Sequence, residues 1–319
     1  MKRIVKCIFG YHSNFGQRFG PKRGACRSLV AAATVAPKHW GAPRFAGKSV
    51  LVTGGDSGIG LAAVEAFYYE CARVMMIGHD EEKTRAAAAN LTALPAPLGC
   101  PSDKPAPALK WLAIDVRELS SVETAVASTM DAFGSLDVAV NNAGSAGPPR
   151  AAGLHQIGDD DFPYYFNHSL EMSVNVKGTL LCMHAQIALW LKAASKGSTL
   201  AIVNVASVCG EAAFCGPAYT TSKWGEIGFS KQAASHYAGK GIRVNVLAPG
   251  PVNTPMLRGG LAEDDPRWLA RKFIIEKSVP MGRIAEPWEM AGPVTFLSSD
   301  ASSYVTGVVV TADGGMVNH

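Results

Sequence analysis

Short runs of apolar residues recur along the chain from residue 48 onward. They lie at about residues 48–53, 73–77, 110–114, 137–141, 200–205, 242–247 and 307–311. The longer segments between them carry apolar residues every three to four positions, as on one face of a helix. Short, continuously apolar strands that alternate with helices are typical of a parallel sheet covered on both faces. The pattern therefore predicts a doubly wound α/β domain with seven parallel strands.

A turn rich in glycine follows the first apolar run. Residues 48–52 lead into glycines at positions 54, 58 and 60, and then into an apolar stretch with helical spacing at 61–70. Glycine permits a tight turn and close approach of the backbone to a phosphate, and the amino end of a helix offers free N–H groups to an anion. The turn favours a dinucleotide-binding site, with an ordinary glycine-rich turn as the alternative.

Tyr219 and Lys223 stand four residues apart, a spacing that places both side chains on one face of a helix. A tyrosine with a pKa of about 10 holds its proton too tightly to exchange it near neutral pH, and a neighbouring ammonium stabilises the phenolate. Such a pair can act as an acid and base at a substrate oxygen. On its own it is a weak signal, because the spacing also occurs by chance on solvated helices.

Several motifs in a fixed order resemble those of the short-chain dehydrogenase/reductase family, in the branch whose subunit is about one Rossmann domain long. The resemblance covers residues 46–315. The matching segments are Thr53–Gly60 (the cofactor turn), Asp115–Val116 (an adenine contact), Asn141–Gly144 (a strand end beside the cofactor), Ser173–Val176, Asn204–Ser207, Tyr219–Lys223, Pro249–Thr254 (the nicotinamide side), and Gly307 with Asp313–Gly315 (the closing strand).

The resemblance implies an enzyme that moves hydride between a nicotinamide dinucleotide and a carbonyl or secondary alcohol. Tyr219 would exchange the proton of the substrate oxygen, and Lys223 would assist it and bind the nicotinamide ribose. Ser207 would hydrogen-bond the substrate oxygen, and Asn175 would hold a water that relays protons from Lys223. A 3-oxoacyl thioester is one substrate option. Sugars, polyols, steroids and quinones stay open, as does a non-catalytic dinucleotide-binding scaffold.

The resemblance also assigns the cofactor contacts. They are Thr53, Gly54, Asp56, Ser57, Gly58, Ile59, Gly60, Gly78, His79, Asp115, Val116, Asn142, Ala143, Gly144, Tyr219, Lys223, Pro249, Gly250, Val252 and Thr254. NAD-preferring relatives usually carry an acid at the position of Gly78, and NADP-preferring relatives often carry basic residues at those of His79 and Ser57. Neither pattern is present. NADP is favoured, because Gly78 leaves room for a phosphate that His79 can contact, and NAD is the alternative.

The charge is distributed unevenly along the chain. The first 55 residues hold ten of the 30 Lys or Arg and no acid, so the other 264 carry 20 basic residues against 26 acidic ones, a net charge of −6. A mildly acidic fold argues against nucleic acid as a partner. No run approaches the ~18–20 apolar residues of a membrane span.

The chain divides into two parts. Residues 1–43 resemble an organellar transit peptide, which predicts a mitochondrial protein, with a disordered tail on a cytoplasmic protein as the alternative. Residues 44–319 form the predicted catalytic domain. Within it, the proline-rich residues 94–107 are expected to form an exposed loop, and 145–168 a wall of the substrate pocket. Residues 255–285 are expected to form a lid of short helices, with Met256, Leu257, Trp268 and Phe273 as candidate apolar contacts.

The seven cysteines form no C-x-x-C pair and no metal-ligand spacing with the eight histidines. This spacing predicts reduced thiols and no bound metal. The helical segments 172–191 and 218–237 carry more apolar residues than one core face needs. Because members of this family usually associate through paired helices and terminal strands, we expect a homo-tetramer, with a dimer as the fallback.

Overall fold

The computed structural model describes residues 43–147, 169–193, 198–213 and 215–317. The predicted leader, apart from residue 43, and most of the predicted pocket wall at 145–168 lie outside these residues.

Seven parallel strands form one sheet, which confirms the predicted fold class. The strands are β1 Ser49–Thr53, β2 Arg73–Gly78, β3 Ala108–Ala113, β4 Val138–Asn141, β5 Leu200–Val205, β6 Ile242–Pro249 and β7 Val309–Ala312. Their order is β3-β2-β1-β4-β5-β6-β7, and every neighbouring pair is parallel. The strand order reverses between β1 and β4. A sheet of this kind binds ligands in the crevice at the carboxyl ends of the strands where that reversal occurs.

Helices cover both faces of the sheet. They are α1 Gly58–Tyr69, α2 Glu81–Thr92, α3 Leu119–Phe133, α4 Thr179–Ala193, α5 Pro217–Tyr237, α6 Pro255–Arg258, α7 Pro266–Glu276 and α8 Pro287–Ser298, and a π-helical stretch, Glu171–Gly178, leads directly into α4. Successive strand residues point to opposite faces, so Val50 and Val52 join a core beneath α1 and α8, whereas Leu51 joins a core beneath α3 and α4. These two cores fix the carboxyl edge of the sheet, where the site lies.

Four cysteines are paired as disulfides, so the expectation of reduced thiols is wrong for them. Cys71 is bonded to Cys100, and Cys209 to Cys215, with Cα–Cα distances of 5.6 and 5.8 Å. The spacing of the cysteines along the chain does not indicate these two pairs. Folding brings the proline-rich loop back to the end of α1, and both Cα–Cα distances lie within the range that a disulfide needs. Cys182 is free and buried.

The sequence predicts neither a membrane-spanning helix nor a metal site, and the described part of the chain can be compared with both expectations. Within it, no helix combines the length and apolarity needed to cross a bilayer. No cluster of His, Cys, Asp or Glu in the same residues has the arrangement of a metal site.

Candidate active site

A cavity of about 630 Å³ opens at the carboxyl ends of β1, β2 and β4. Most of the predicted cofactor contacts line it: Gly54, Asp56, Ser57, Gly58, Ile59, Gly78, His79, Asp115, Val116, Asn142, Ala143, Gly144 and Thr254. The fold thus gathers residues from five separate segments of the sequence around one crevice, at the position where a doubly wound sheet binds a dinucleotide.

The glycine turn between β1 and α1 is shaped for close approach of a ligand. Gly54 and Gly58 have φ angles of +61° and +53°, a left-handed conformation that favours glycine. A Cβ on Gly60 would lie 2.0 Å from the carbonyl oxygen of Gly54, so no larger residue fits there. Ser57, the residue before α1, makes no side-chain cap on the helix. The amino-terminal N–H groups of α1 are therefore left to a ligand such as a pyrophosphate.

Thr53 and Asn142 tie this turn to the end of β4. The Thr53 Oγ1 accepts hydrogen bonds of 3.1 Å from the backbone N–H groups of Asn142 and Ala143. The Asn142 Nδ2 donates to the carbonyl oxygens of Thr53 at 3.2 Å and Gly54 at 3.1 Å. Thr53 is buried beneath the cavity and braces its floor, rather than lining it as a direct contact.

The carboxyl end of β2 differs from the expected geometry. A Cβ on Gly78 would lie 1.8 Å from the Oγ1 of Thr84, which donates a 2.6 Å hydrogen bond to the carbonyl oxygen of Asp80. Thr84 fills the space that was expected to be open beside Gly78. The acid typical of NAD-preferring relatives is thus excluded at this position by a neighbouring side chain on α2.

Lys83 is a cation at this end of the cavity that sequence reasoning missed. Its Nζ lies 3.1 Å from the Oγ of Ser57 and 3.4 Å from an Oδ2 of Asp56, and its side chain is half exposed. Nothing in the spacing predicts this contact, because it depends on how α2 packs beside the glycine turn. Position 57 is a serine rather than the basic residue of NADP-preferring relatives. Lys83 from α2 nevertheless places a positive charge beside it.

Asp115 forms an ion pair with Arg117, another residue that was not predicted from the sequence. The Arg117 Nε donates to the Oδ1 of Asp115 at 2.9 Å, and the guanidinium Nη2 lies 2.5 Å from Oδ2. Hydrogen bonds from the Arg117 side chain lower the pKa of Asp115 to about 2. Both residues line the cavity, so its edge beyond β3 carries a fixed ion pair.

Tyr219 and Lys223 lie one turn apart near the start of α5, which begins at Pro217. The Lys223 Nζ is 5.7 Å from the centroid of the Tyr219 ring. Lys223 is 3% exposed, and its Nζ donates a 3.2 Å hydrogen bond to the carbonyl oxygen of Val205 at the end of β5. A Cβ on Gly144 would lie 3.7 Å from that Nζ. The ammonium is therefore near both the tyrosine ring and Gly144 of the cavity lining, although neither Tyr219 nor Lys223 lines the cavity itself.

Ser207 follows β5 and begins a 3₁₀ turn, Val208–Gly210. Its Oγ accepts a 3.2 Å hydrogen bond from the N–H of Cys209. The turn packs directly on α5, since a Cβ on Gly210 would lie 2.7 Å from the carbonyl oxygen of Lys223. A hydroxyl that accepts this bond still has its own proton to donate, and Ser207 is held beside the helix that carries the tyrosine.

Asn175 lies in the π-helical stretch and is fully buried. Its Oδ1 accepts from the N–H of Ser145 at 2.8 Å, and its Nδ2 donates to the carbonyl oxygen of Ser145 at 3.0 Å and to the Oγ of Ser222 at 2.9 Å. Both amide hydrogens are thus donated to protein atoms. In this structure the side chain braces the loop after β4 against α5, whereas the sequence predicts that it holds a water.

The loop after β6 packs against neighbouring backbone next to the site. A Cβ on Gly250 would lie 2.7 Å from the Cα of Asp313, and Val252 is buried and paired with Ala285. Thr254 caps α6 through a 3.2 Å bond from the N–H of Leu257. Of the predicted contacts on this loop, Thr254 lines the cavity and Pro249, Gly250 and Val252 do not; Gly60 is also absent from the lining.

The predicted lid contains two short helices, α6 and α7. Trp268 is 1% exposed and packs with Ile275, Ile284 and Met316, so it belongs to the interior of the lid. Leu257 packs partly against the same cluster. Phe273 is 60% exposed, and Met256 is the candidate that lines the cavity.

A second cavity, of about 440 Å³, lies at the opposite edge of the sheet, near the amino ends of the strands. Its two arginines already have partners within the fold. Arg44 is paired with Glu70, and Arg243 donates to the carbonyl oxygens of Leu297 and Val305. We therefore place the functional site at the carboxyl edge, where the motifs converge.

Comparisons with known proteins identify the family to which the chain is similar. The family model described as enoyl-(acyl carrier protein) reductase matches residues 54–317. A 2,5-dichloro-2,5-cyclohexadiene-1,4-diol dehydrogenase of Sphingobium indicum is 36% identical over 85% of this chain and 97% of its own. A 3-oxoacyl-[acyl-carrier-protein] reductase of Chlamydia muridarum is 34% identical over 84% of this chain and 97% of its own. The crystal structure of levodione reductase superposes with a TM-score of 0.71 at 29% identity, covering 86% of this chain and 99% of that one.

The chain belongs to the short-chain dehydrogenase/reductase family, as its motifs predict. It is an NAD(P)-dependent oxidoreductase that acts on CH–OH and C=O groups.

Proposed function

We propose that this protein is an NADP-dependent reductase of a carbonyl substrate, with Tyr219 as the acid and base, Lys223 and Ser207 as its partners, and Asn175 as the brace of the site. The observation that carries the proposal is the position of the Lys223 ammonium. It lies 5.7 Å from the centroid of the Tyr219 ring and close to Gly144, which lines the cavity. A cation placed there can serve the bound cofactor and the proton-transferring phenol together.

The reaction follows from these positions. The nicotinamide, when bound, supplies the hydride that adds to the carbonyl carbon. Tyr219 gives its phenolic proton to the carbonyl oxygen, so the product is a secondary alcohol and the tyrosine is left as a phenolate. The ammonium of Lys223 stabilises that phenolate. Ser207 donates a hydrogen bond to the same oxygen and stabilises the negative charge that develops on it during the transfer. Alcohol oxidation uses the same groups in reverse.

The choice of NADP rests on the adenosine end of the cavity. Position 78 is a glycine and Thr84 fills the space beside it, so the usual acceptor for two ribose hydroxyls is missing. Lys83 and His79 line the same end and are suited to contact a phosphate on the ribose. NAD remains the alternative, because Asp56 is 3.4 Å from the Lys83 Nζ and partly offsets its charge.

The substrate proposed is a 3-oxoacyl thioester, supported by the 34% identity with the reductase of Chlamydia muridarum. A second candidate is a cyclic diol, supported by the 36% identity with the diol dehydrogenase of Sphingobium indicum. The two differ in direction as well as in chemistry, since the first is reduced and the second oxidised. A panel that contains both classes separates them.

The test is a titration of the purified protein with NADPH and NADH, followed by a panel of thioesters, cyclic diols, sugars, polyols, steroids and quinones, with NADP⁺ and NAD⁺ supplied for the alcohols. We expect tighter binding of NADPH and reduction of a 3-oxoacyl thioester. Tighter binding of NADH would overturn the choice of cofactor. Dinucleotide binding without turnover of any compound would favour a non-catalytic scaffold.

We also propose that the basic leader delivers the protein to mitochondria and that the enzyme is a homo-tetramer. Composition supports the first point, and exposed apolar side chains on the outer helices support the second. Leu180 and Leu191 on α4, Trp224 on α5, and Trp288 and Phe296 on α8 are all more than 40% exposed. Light scattering after size-exclusion chromatography measures the assembly, and a monomer would contradict it.

A further inference from the structure

Glu226 is a buried acid in direct contact with the proposed catalytic lysine, and the reaction described above makes no use of it. It lies on α5 one turn after Lys223, and its Oε2 is 2.5 Å from the Lys223 Nζ. Glu226 is 1% exposed and Lys223 is 3% exposed. The two charges therefore form an ion pair in the interior of the protein, beside the Tyr219 ring.

Each member of this pair has a further partner that fixes its position. The Glu226 Oε1 accepts a 3.1 Å hydrogen bond from the Oγ1 of Thr179, at the start of α4. The Lys223 Nζ donates to the carbonyl oxygen of Val205 at 3.2 Å. An ammonium has three N–H groups, so with one donated to Val205 and the Glu226 carboxylate in contact, the Nζ can still donate to the cofactor or the tyrosine.

Burial makes the charges of the pair depend on each other. Removal from water lowers the pKa of Lys223, but the attraction of the Glu226 carboxylate, with smaller help from Tyr219, outweighs it and raises that pKa above its ordinary value. Burial in turn raises the pKa of Glu226, and Lys223 opposes that rise. A buried charge that loses its partner is strongly disfavoured, and a lysine in that situation becomes neutral more easily.

We propose that Glu226 is a positioning residue that keeps Lys223 charged and directs one of its N–H groups toward the bound dinucleotide and Tyr219. This inference rests on the role proposed above for Lys223. Glu226 itself touches neither substrate nor cofactor, and it acts through the ammonium.

Other ionisable groups on the elements packed around the pair have different neighbours. β5 carries none along its length. On the surrounding elements, Tyr219 faces Lys223 from the same helix, Glu171 packs against Gly147, Cys182 is buried among apolar side chains, Glu211 accepts from Thr311, and Arg243 donates to backbone carbonyls. Among the residues that the structure describes, Glu226 is the carboxylate paired with Lys223.

The decisive variant is Glu226→Gln, which keeps the shape and one acceptor oxygen while removing the charge. Dinucleotide affinity by fluorescence titration and kcat/KM are both measured from pH 5.5 to 10. We expect both to begin their alkaline fall at least about one pH unit lower than in the wild type, and a rate about tenfold lower at the wild-type optimum. Lowering the pH should restore much of the loss, because Lys223 is charged again.

Two matched variants separate charge from packing. Glu211→Gln removes a partly buried carboxylate that accepts a 2.7 Å bond from Thr311, and it should leave the pH profile unchanged. Glu226→Asp keeps the charge but shortens its reach, so it should shift the profile in the same direction by less. If the Gln variant does not yield folded protein, the Asp variant decides the question.

The binding titration keeps this inference separate from the proposed reaction. A shifted pH dependence of dinucleotide binding supports the role of Glu226 even if no substrate of the panel is turned over. The inference is overturned if folded Glu226→Gln, or folded Glu226→Asp in its absence, keeps the wild-type pH profile of binding. A uniform loss at every pH with a lower melting temperature would also overturn it, since that is the result of a merely structural role.

Discussion

The two ends of the dinucleotide crevice use opposite kinds of electrostatics. At the catalytic end, Lys223 and Glu226 are 3% and 1% exposed, and their charges interact without intervening water. At the adenosine end, Lys83 has a side chain 52% exposed, and it pairs with Asp56 at 3.4 Å. Buried pairs are screened little by salt and are strongly coupled, whereas exposed pairs are weak and screened. We infer that the buried pair at the catalytic end controls the proton transfer. The exposed lysine at the adenosine end influences which dinucleotide binds.

The largest effect should come from removing the buried cation with Lys223→Met. We expect kcat/KM to fall at least about a thousandfold, because one ammonium serves both proton transfer and cofactor binding. The variant also leaves Glu226 buried without its partner, which costs about 3–5 kcal/mol of folding free energy. Denaturant unfolding measures that cost.

The double variant Lys223→Met/Glu226→Leu is the control. It removes both charges, so it should recover most of the lost stability while staying inactive. Recovery of activity together with stability would show that Lys223 contributes to folding alone.

The next largest effect should come from Gly60→Ala, which adds a methyl group where the glycine turn meets α1. A Cβ at position 60 would lie 2.0 Å from the carbonyl oxygen of Gly54, so Gly60→Ala should displace the glycine turn. We expect dinucleotide affinity to fall at least about tenfold, the equivalent of about 1.4 kcal/mol. Gly228→Ala on α5 is the matched control, because a Cβ there meets nothing within 4 Å. It should bind normally and be stabilised by about 0.5–1 kcal/mol.

At the exposed end, Lys83→Met should weaken NADPH binding about tenfold and leave NADH binding within about twofold, since a charge-assisted contact to a phosphate is worth about 1.5–3 kcal/mol. Lys83→Arg, which keeps the charge, is the control. The NADPH affinity of the wild type should also fall as salt rises, because the contact is open to solvent. Equal losses for both dinucleotides would remove Lys83 as the determinant of cofactor choice.

The smallest effect concerns the partly exposed pair of Asp115 and Arg117. Hydrogen bonds from Arg117 lower the pKa of Asp115 to about 2. A group with a lowered pKa stabilises the fold above its unfolded pKa of about 3.9, and that contribution is lost as the pH falls toward 2. Arg117→Ala should therefore cost less than about 1 kcal/mol at pH 7 and almost nothing near pH 2, as measured by thermal unfolding. A cost that does not change with pH would contradict the ion-pair explanation.

The sequence predicted the parts of the site that depend on local backbone and on spacing. The seven strands, the glycine turn at residues 54–60 and the shared helix face of Tyr219 and Lys223 all follow from periodicity and from residue type. The resemblance to a family added the order of the motifs. These features are encoded within a few neighbouring residues, which is why one sequence is enough to find them.

The features that the sequence missed depend on contacts between distant segments. The bond from Cys71 to Cys100 closes a loop of the chain, and the approach of Lys83 to Ser57 depends on how α2 packs beside the glycine turn. The space beside Gly78 is filled by Thr84, six residues later. Glu226 was overlooked for a related reason. A glutamate one turn after a lysine is usually an ordinary surface pair. Burial makes the Glu226 carboxylate control the charge of Lys223, and burial cannot be read from the spacing.

The most direct test of the account compares Tyr219→Phe with the wild type, using a carbonyl substrate and direct titration of the dinucleotide. The variant removes the exchangeable proton and keeps the ring. We expect the rate of reduction to fall at least about a hundredfold, the lower range for general acid catalysis, with dinucleotide affinity unchanged within about twofold. Turnover close to that of the wild type would contradict the central claim that the proton reaches the substrate from Tyr219.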